Sequence, residues 1–446
     1  MMDVTLLPLG EWADAQAIIS AEHMAKRVSA TAIVKHRAGF SHSIHPAPGS
    51  VLAAIGSADD ESEPDYFFHW LRDSAAVLDA ALVLIGEGMD AEGWKRRFAD
   101  FVAFSLALSG ISGARFLAEH ADRERRTEPR LRQFLRPDAE IAAIEGDTVL
   151  GEVRYNADGT LDFLRWSRPQ HDGVATRALT CLRYLEHGAV LDEAMPAIAT
   201  LIRQDLAYTL KYAGSPCVDI WEEESAQHYY TLLAQYAALQ QGASWAAERG
   251  DITLSAEMTE IARRLEDRLE DFWSAEQGFY LSRIMPAGQT TTKELDLAVI
   301  LGVLHAGRRN GRHSIKDVRV AKTLEKLEEL FAADYALNRE AGAGLALGRY
   351  KGDLYFSGGA YFFCTFGAAE FYYKLAAATR DASLLAKADA ILAMARRSIP
   401  ASGEISEQFD QTTGAQTSAR SLTWSYASFL TCWQARRAAI AAAGRG

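Results

Sequence analysis

The sequence predicts an all-α domain in which about twelve helices pair and close into a ring, with short β-hairpin excursions in the loops. Apolar residues recur at helical spacing through most of the 446 residues, and polar, glycine-bearing segments separate the helical windows. No proline- or serine-rich linker and no break in composition divides the chain. Residues 1–446 are therefore expected to form a single domain.

Each helical window shows one apolar face. In the window 253–274, Leu254, Met258, Ile261 and Leu265 recur at steps of three and four residues, which places them on one side of a helix. Paired helices of this kind build either an open solenoid or a closed ring. A solenoid would show a sequence repeat and polar capping repeats, and neither is visible, so a closed ring is favoured. The windows are 10–28, 71–88, 92–112, 173–188, 192–212, 226–248, 253–274, 292–306, 316–332, 359–378, 382–398 and 418–442.

The connections between the windows are the expected place of function. The longest region without a predicted helix is 113–172, in which Asp158-Gly159, flanked by alternating apolar and polar residues, indicates a hairpin. Segments 276–291 and 401–417 are also rich in Gly and Thr. Binding residues concentrate in loops at the ends of rigid elements, so these excursions are expected to lie near a site. The sequence assigns no role to residues 113–150.

The charge and hydropathy of the chain exclude several classes of function. Its 47 Lys and Arg residues against 59 Asp and Glu residues give a net charge of -12, and the basic residues are scattered. A nucleic-acid partner is not expected, because a binding face for phosphates needs concentrated positive charge. No run approaches about 18 consecutive apolar residues, so no membrane-spanning helix is predicted. The N-terminus lacks the basic head and apolar run of a secretory signal, which favours a cytoplasmic location.

The four cysteines, Cys181, Cys217, Cys364 and Cys432, lie far apart in the sequence. They form no CxxC pair and no zinc-type spacing with histidine, so neither a metal site nor a cofactor is predicted. Reduced and mostly buried thiols are expected.

Aromatic and acidic residues cluster in the connections. Flat aromatic rings pack against the C–H face of a pyranose, and carboxylates with arginine forks bind its hydroxyls. Each cluster alone is also explained by core packing or by a solvated helix start, but their joint occurrence favours a sugar-binding site. The clusters are Pro64–Asp73, Trp166–Asp172, Asp219–Glu224 and Gly348–Tyr355.

Longer ordered patterns extend these clusters. They are Pro64-Asp-Tyr-x-x-x-Trp-x-Arg-Asp73, Gly151-Glu-x-x-x-Asn-x-Asp-Gly-Thr160, Trp166-x-Arg-Pro-Gln-x-Asp-Gly173, Asp219-x-Trp-Glu-Glu223, Gly348-Arg-Tyr-x-x-Asp-x-Tyr355, Glu404-Ile-Ser-Glu-Gln-Phe-Asp410 and Ser418-Ala-Arg-x-Leu-Thr-Trp-Ser-Tyr426. In this order, from about residue 35 to about residue 435, the chain resembles glycoside hydrolase family 15, the glucoamylase family.

The resemblance implies a fold and a reaction. The fold of the family is an (α/α)6 barrel, and its reaction is inverting hydrolysis of a terminal α-glucosidic bond, which releases β-glucose from a non-reducing end. Inversion needs one carboxylic acid to protonate the leaving oxygen and one ionised carboxylate to activate a water, roughly 6.5 to 9.5 Å apart. It requires no metal.

The resemblance assigns the general acid to Glu222 and the general base to Glu407. The acid must keep its proton, and like charge from the neighbouring Asp219, Glu223 and Glu224 would favour the protonated form. The base must stay ionised, so hydrogen-bond donors are expected around Glu407, and the Tyr66 hydroxyl is a candidate.

The same resemblance assigns residues to the sugar. Arg72, Asp73 and Arg349 match positions that hold the hydroxyls of a terminal glucose, and a pocket that admits one sugar end implies exo action. The Tyr66 hydroxyl is expected near the nucleophilic water. The other residues assigned to substrate binding, as aromatic walls or as neighbours of the acid, are Trp70, Trp166, Asp219, Trp221, Glu223, Tyr355 and Tyr361.

One segment departs from the family pattern. After Tyr355 the family usually shows Asn-Gly-Asn-Pro-Trp, whereas this chain has Ser357-Gly-Gly-Ala-Tyr361, so that Tyr361 replaces a tryptophan wall near the leaving-group sugar. The linkage preference is therefore left open. No starch-binding module is expected, so short malto- or isomalto-oligosaccharides are favoured over granular starch.

Alternatives to this function were weighed on the same residues. An α,α-trehalase is an alternative within the family. A catalytically silent regulatory protein would be expected to lack the acid–base pair, whereas Glu222 and Glu407 are both present with their flanking residues. A helical scaffold without a ligand does not explain the clustered aromatic and acidic loops. Linkage, chain length and oligomeric state are not predicted.

Overall fold

The computed structural model describes residues 7–56, 63–340 and 344–444. Its α-helices are α1 (Leu9–Ala25), α2 (Leu71–Gly86), α3 (Ala91–Leu108), α4 (Gly113–Glu119), α5 (Arg123–Arg126), α6 (Asp138–Ala142), α7 (Asp147–Leu150), α8 (Asp172–Glu186), α9 (Met195–Lys211), α10 (Tyr229–Glu248), α11 (Ile252–Leu269), α12 (Ala298–Ala306), α13 (Val318–Asp334), α14 (Phe362–Thr379), α15 (Ala382–Arg396) and α16 (Thr423–Ala443).

Two concentric rings of helices form the molecule. In the inner ring α2 contacts α8, α8 contacts α10, and the series continues through α12, α14 and α16, which returns to α2. Each inner helix packs against one outer helix: α2 against α3, α8 against α9, α10 against α11, α12 against α13, α14 against α15 and α16 against α1. This closed series is an (α/α)6 barrel, so the predicted fold class is confirmed, and the twelve predicted windows correspond to these twelve helices.

Burial separates the inner helices from the outer ones. The outer helix α11 buries only Met258, Ala262, Leu265 and Leu269, which follow one another at steps of four, three and four residues. The inner helices α10 and α14 are buried around most of their circumference. Outer helices therefore need one apolar stripe, whereas inner helices are apolar on almost all sides.

A charged contact joins an inner helix to its outer partner. Arg177 on α8 and Asp205 on α9 are both fully buried, and Arg177 Nη2 lies 2.7 Å from Asp205 Oδ1. A second bond of 2.9 Å joins Arg177 Nε to Asp205 Oδ2, so the pair is bidentate. Removing one partner of such a pair would leave an uncompensated charge in the interior and destabilise the fold.

The segment 113–172 was expected to lack helices, and this expectation is wrong. It contains α4 to α7, which are 4 to 7 residues long. Helices this short do not complete the two turns over which apolar periodicity becomes visible. They enclose a second apolar core that includes Phe116, Ile141, Val149 and Phe163, together with Leu71 at the start of α2. The segment thus supports one end of the barrel.

Short antiparallel strands precede several inner helices. The predicted turn at Asp158-Gly159 is present, since Gly159 has a φ of 84° and Tyr155 bridges Leu161. The strand before this turn pairs with the strand that leads into α2. The strands are β1 (Lys35–Arg37), β2 (His42–Ile44), β3 (Phe68–Trp70), β4 (Arg154–Asn156), β5 (Cys217–Val218), β6 (Ser225–His228), β7 (Trp273–Ser274), β8 (Phe279–Tyr280), β9 (Arg283–Ile284), β10 (Ala360–Tyr361), β11 (Gln408–Phe409) and β12 (Gln416–Thr417).

Two further expectations concern the state of the cysteines and the presence of a membrane-spanning helix. All four cysteines are buried and free, as predicted for reduced thiols. Among the described residues no single helix is long and apolar enough to cross a membrane, although the bent pair α3 and α4 passes that test when the two are taken together.

Candidate active site

The loops at the N-terminal ends of the inner helices bring the predicted residues together. Trp70 precedes α2, Arg72 and Asp73 lie in its first turn, and Tyr361 immediately precedes α14. The side chains linked here by hydrogen bonds or ring contacts are Tyr66, Trp70, Arg72, Asp73, Trp166, Asp219, Trp221, Glu222, Glu223, Arg349, Tyr355 and Tyr361. Glu407 joins this group from the strand β11 side, where its charge acts on Tyr66 and Tyr355.

Three donors converge on the carboxylate of Glu222. Trp70 Nε1 donates to Oε1 over 2.8 Å, and the indole N–H of Trp166 donates to Oε2. Arg72 Nη2 lies 3.4 Å from Oε1. Glu222 itself has a φ of 67°, in the left-handed region that residues with a Cβ rarely adopt. The loop therefore imposes an unfavourable backbone conformation on Glu222 while presenting its carboxylate to these donors.

Asp219 holds this loop in shape. Its Oδ1 accepts the backbone N–H groups of Trp221 and Glu223, each over 3.0 Å. Its Oδ2 accepts from Arg283 Nη1 over 2.7 Å. Both carboxylate oxygens are thus used within the protein, and Asp219 is 3% exposed. The structure makes Asp219 a support for the Glu222 loop rather than a side chain open to a sugar.

The like charge expected around Glu222 is neutralised. Glu223 pairs with Arg349 at 3.1 Å and with Lys293 at 2.7 Å. Glu224 pairs with Arg283 at 2.8 Å, the same guanidinium that binds Asp219. Cations distant in sequence therefore pair with the three acids whose like charge was expected to favour the protonated form of Glu222.

Glu407 lies in a different environment. It is 8% exposed, its backbone N–H donates to Ala419 O over 2.8 Å, and the Ser418 hydroxyl donates to its Oε2. Burial raises the pKa of Glu407 to about 7, while the Ser418 bond and the charge of Arg349 act in the opposite direction. A donor to Glu407 was expected and one is present, but it is Ser418, whereas the candidate named from the sequence, the Tyr66 hydroxyl, is bonded to Tyr355.

The hydroxyls of Tyr66 and Tyr355 are bonded to each other, and the charges of both glutamates act on them. The hydroxyl oxygens of Tyr66 and Tyr355 are 2.7 Å apart. Burial raises the pKa of Tyr66 well above its ordinary value, and the charges of Glu407, Tyr355 and Glu222 add to this rise. The hydroxyl pair therefore stays protonated, and the O–H group that is not used within the pair remains free to donate.

A buried ionic cluster occupies the start of α2. Arg72 Nη2 lies 3.2 Å from Asp73 Oδ2, and Arg72 Nη1 lies 3.5 Å from Asp172 Oδ2. Burial raises the pKa of Asp73 to about 6, although Arg72 lowers it. Asp172 was not singled out from the sequence, but it belongs to the pattern Trp166 to Gly173 that was.

Arg349 forms the second cationic centre. Its Nε and Nη2 bind Asp353 in bidentate fashion at 2.6 and 2.7 Å. Its guanidinium carbon lies 5.4 Å from the Trp221 ring and 5.5 Å from the Tyr355 ring. Asp353 was also missed, although the pattern Gly348 to Tyr355 contains it.

The aromatic residues differ in exposure. Trp166 is 40% exposed, whereas Tyr361 is 1% exposed and its hydroxyl accepts a 2.7 Å bond from Gln408 Nε2. Tyr361 packs against Trp221 and Phe363. A wall of the sugar pocket would be exposed to that pocket, so this burial argues against the prediction that Tyr361 faces the sugar. Tyr361 lies beneath the site, where it supports the rings around Arg349.

Carboxylates, guanidinium groups and indole rings lie together at one end of a closed helical barrel. These are the groups that a carbohydrate-cleaving enzyme needs, so the fold and the site indicate that class of enzyme. The sequence model of glycosyl hydrolases family 15 matches residues 120–434. The chain belongs to this family and is a glycoside hydrolase of the glucoamylase type. Within the described residues, no group of three or more His, Cys, Asp or Glu side chains is arranged to hold a metal ion.

Known proteins agree with this assignment. The glucoamylase of Blastobotrys adeninivorans is 29% identical over 87% of this chain and 67% of its own length. A probable glucoamylase of Schizosaccharomyces pombe is 27% identical over 96% of this chain and 92% of its own. The glucoamylase structure of Saccharomycopsis fibuligera superposes with a TM-score of 0.78, covering 97% of this chain and 96% of that one at 22% identity, which supports the fold.

Proposed function

We propose that the protein is an exo-acting, inverting α-glucoside hydrolase that releases β-D-glucose from the non-reducing ends of short α-1,4- or α-1,6-linked gluco-oligosaccharides. Residues 1–446 act as one catalytic domain. The observation that carries the proposal is that the charges of Glu222 and Glu407, which lie on different loops and have different partners, both act on the bonded hydroxyl pair of Tyr66 and Tyr355.

Glu222 acts as the general acid. When it protonates the leaving oxygen, negative charge develops on its carboxylate. The indole N–H groups of Trp70 and Trp166 and the guanidinium of Arg72 are already aimed at that carboxylate, so they stabilise the charge without reorganising.

Glu407 acts as the general base. Its raised pKa of about 7 makes it a stronger base than an exposed glutamate, and the Ser418 bond favours its ionised form. A water held by the Tyr66–Tyr355 pair would give its proton to Glu407 and attack the anomeric carbon from the face opposite the leaving oxygen.

Two ion pairs suit the hydroxyls of a terminal glucose. Arg72 with Asp73 and Arg349 with Asp353 offer donors and acceptors on buried side chains, and Trp166 offers an exposed ring. Binding energy concentrated on the terminal unit and its neighbour gives little gain in kcat/KM beyond two or three glucose units. The four buried thiols fit a reducing compartment, which supports action in the cytoplasm.

The test is product analysis on maltose, isomaltose, panose and α,α-trehalose. Proton NMR early in hydrolysis should detect β-glucose first, with the highest rates on one of the first three sugars. Initial α-glucose would overturn inversion, because retention requires a double displacement. Fastest turnover of trehalose would favour the trehalase instead, and the absence of glucose from all four sugars would indicate a catalytically silent protein.

A further inference from the structure

A second cavity opens at the other end of the barrel. The candidate active site lies where the inner helices begin, whereas a cavity of about 1050 Å³ lies around the barrel axis toward the ends of the same helices. Its lining includes Gly86 at the end of α2, His187 just after α8, Gly307 just after α12 and Ala378 near the end of α14. Sites for small molecules commonly occupy about 300–1,000 Å³.

Small side chains on the inner helices create this cavity. On α16 the lining residues Ala427, Ser428, Thr431, Ala435 and Ala438 recur at one-, three- and four-residue steps and form a single stripe. The barrel axis is therefore filled by side chains near the candidate active site and left open toward the other end.

Paired charges line the cavity. Arg183 on α8 is bonded to Asp79 on α2, and Lys374 lies 3.2 Å from Glu370 on α14. Thr431 donates to Glu370 over 2.6 Å. The carboxylates of Asp79 and Glu370 in the lining thus already have cations, and Arg308 is paired with Glu266. The remaining charged lining residues, Glu186, Arg309 and Lys316, are exposed, so the interior carries little net charge and offers both donors and acceptors. Such a lining suits a neutral ligand with many hydroxyls better than an anion or a cation.

An indole lies between the cavity and the candidate active site. Trp424 is 4% exposed, lines the cavity, and its Nε1 has no hydrogen-bond partner among the described residues. The guanidinium carbon of Arg72, in the candidate active site, lies 5.6 Å from the same ring. A buried indole N–H without an acceptor is costly, so a ligand oxygen in the cavity would be favoured there.

We infer that this cavity is a second saccharide site, which takes a neutral sugar of one or two units and is separate from the candidate active site. It combines a buried aromatic residue, an unused donor and two carboxylate–cation pairs, which are the groups that bind sugar hydroxyls. The inference does not depend on the roles proposed for Glu222 and Glu407.

The experiment uses the full chain and D-glucose, which the enzyme cannot cleave. Crystals grown without sugar and then soaked in glucose should show one glucose in the cavity, besides any glucose in the candidate active site. Calorimetric titration should detect the cavity site in solution. Ala438→Trp closes the mouth from α16, where Ala438 is exposed, and should weaken the cavity site by about tenfold or more.

A control variant outside the cavity and a second variant at its opening show whether a change in binding arises from closing the cavity. Ile440→Trp adds the same side chain at an exposed position of α16 outside the lining, and it should leave both binding events unchanged. If Ala438→Trp does not fold, Ala378→Trp is used instead, because Ala378 is an exposed lining residue on α14 and the larger side chain closes the opening of the cavity from that helix. Only water or an inorganic ion in the cavity, or a titration that neither mouth variant changes, would overturn the inference. Density without a matching event in solution would mean binding at crystal concentration only, and would overturn it as well.

Discussion

The hydroxyl oxygens of Tyr66 and Tyr355 lie 2.7 Å apart although 289 positions separate the two residues. Tyr66 precedes the first inner helix and Tyr355 precedes the fifth, so closure of the inner ring brings them together. The charges of both Glu222 and Glu407 act on this pair, which is where we propose that the nucleophilic water is held.

The proposed acid–base pair makes a direct prediction. Glu222→Gln and Glu407→Gln should each lower kcat by about 10²- to 10⁴-fold, since each removes a proton-transfer group while keeping the shape of the side chain. Steady-state kinetics on the best α-glucoside measure the loss, and the thermal midpoint should change little. Glu404→Gln is the control, because Glu404 lies three positions from Glu407 and bonds to Ser421 outside the proposed machinery. Near wild-type rates in either variant would refute that residue's role.

The pH profile should depend on Ser418. A base must be ionised, so kcat/KM should fall as the pH falls through the Glu407 pKa of about 7. The Ser418 bond stabilises the ionised carboxylate and lowers this pKa, so Ser418→Ala should raise it and move the acid limb to higher pH. Ser421→Ala removes a nearby hydroxyl that bonds Glu404 rather than Glu407, and it should leave the acid limb in place. An acid limb that does not move in Ser418→Ala would show that Glu407 does not set it.

Tyr361 should affect stability more than linkage preference. If Tyr361 formed a wall of the sugar pocket, Tyr361→Trp would shift the ratio of α-1,4 to α-1,6 hydrolysis. Because Tyr361 is 1% exposed and bonded to Gln408, the larger ring should instead overpack the core and cost about 1–3 kcal/mol of unfolding free energy.

Urea unfolding and rates on maltose and isomaltose measure the two effects of Tyr361→Trp. Tyr361→Phe keeps the packing and removes only the acceptor for Gln408. A changed linkage ratio without a loss of stability would restore Tyr361 as a wall of the sugar pocket.

The buried pair Arg177–Asp205 should be a stability determinant of the barrel. Asp205→Ala leaves the Arg177 guanidinium buried and uncompensated, which is expected to cost about 3–5 kcal/mol. Chemical unfolding followed by circular dichroism measures this cost. Lys211 lies on α9, as Asp205 does, and forms an exposed ion pair with Asp147. Lys211→Ala removes this pair and should change the unfolding free energy little. Equal effects of the two substitutions would contradict the argument from burial.

Much of the barrel could be predicted from local pattern. In an amphipathic helix such as α11, apolar residues three and four positions apart mark the face that is buried. Each of the twelve predicted windows overlaps one barrel helix. The loops that carry Trp70, Glu222 and Arg349 were also identified, because aromatic and acidic residues cluster there. The short helices α4 to α7 were not predicted, because 4 to 7 residues form too few turns for an apolar periodicity to appear.

The sequence by itself determined the helices, their order and the loops that hold the candidate site, because these depend on residues close together along the chain. Only the tertiary structure decided that Glu223 meets Arg349, that Arg283 binds both Asp219 and Glu224, and that Tyr361 is buried. It also decided where the inner ring is filled and where it leaves a cavity. Each of these contacts joins residues that closure of the ring brings together. A local sequence pattern predicts neither the distance between such residues nor their burial.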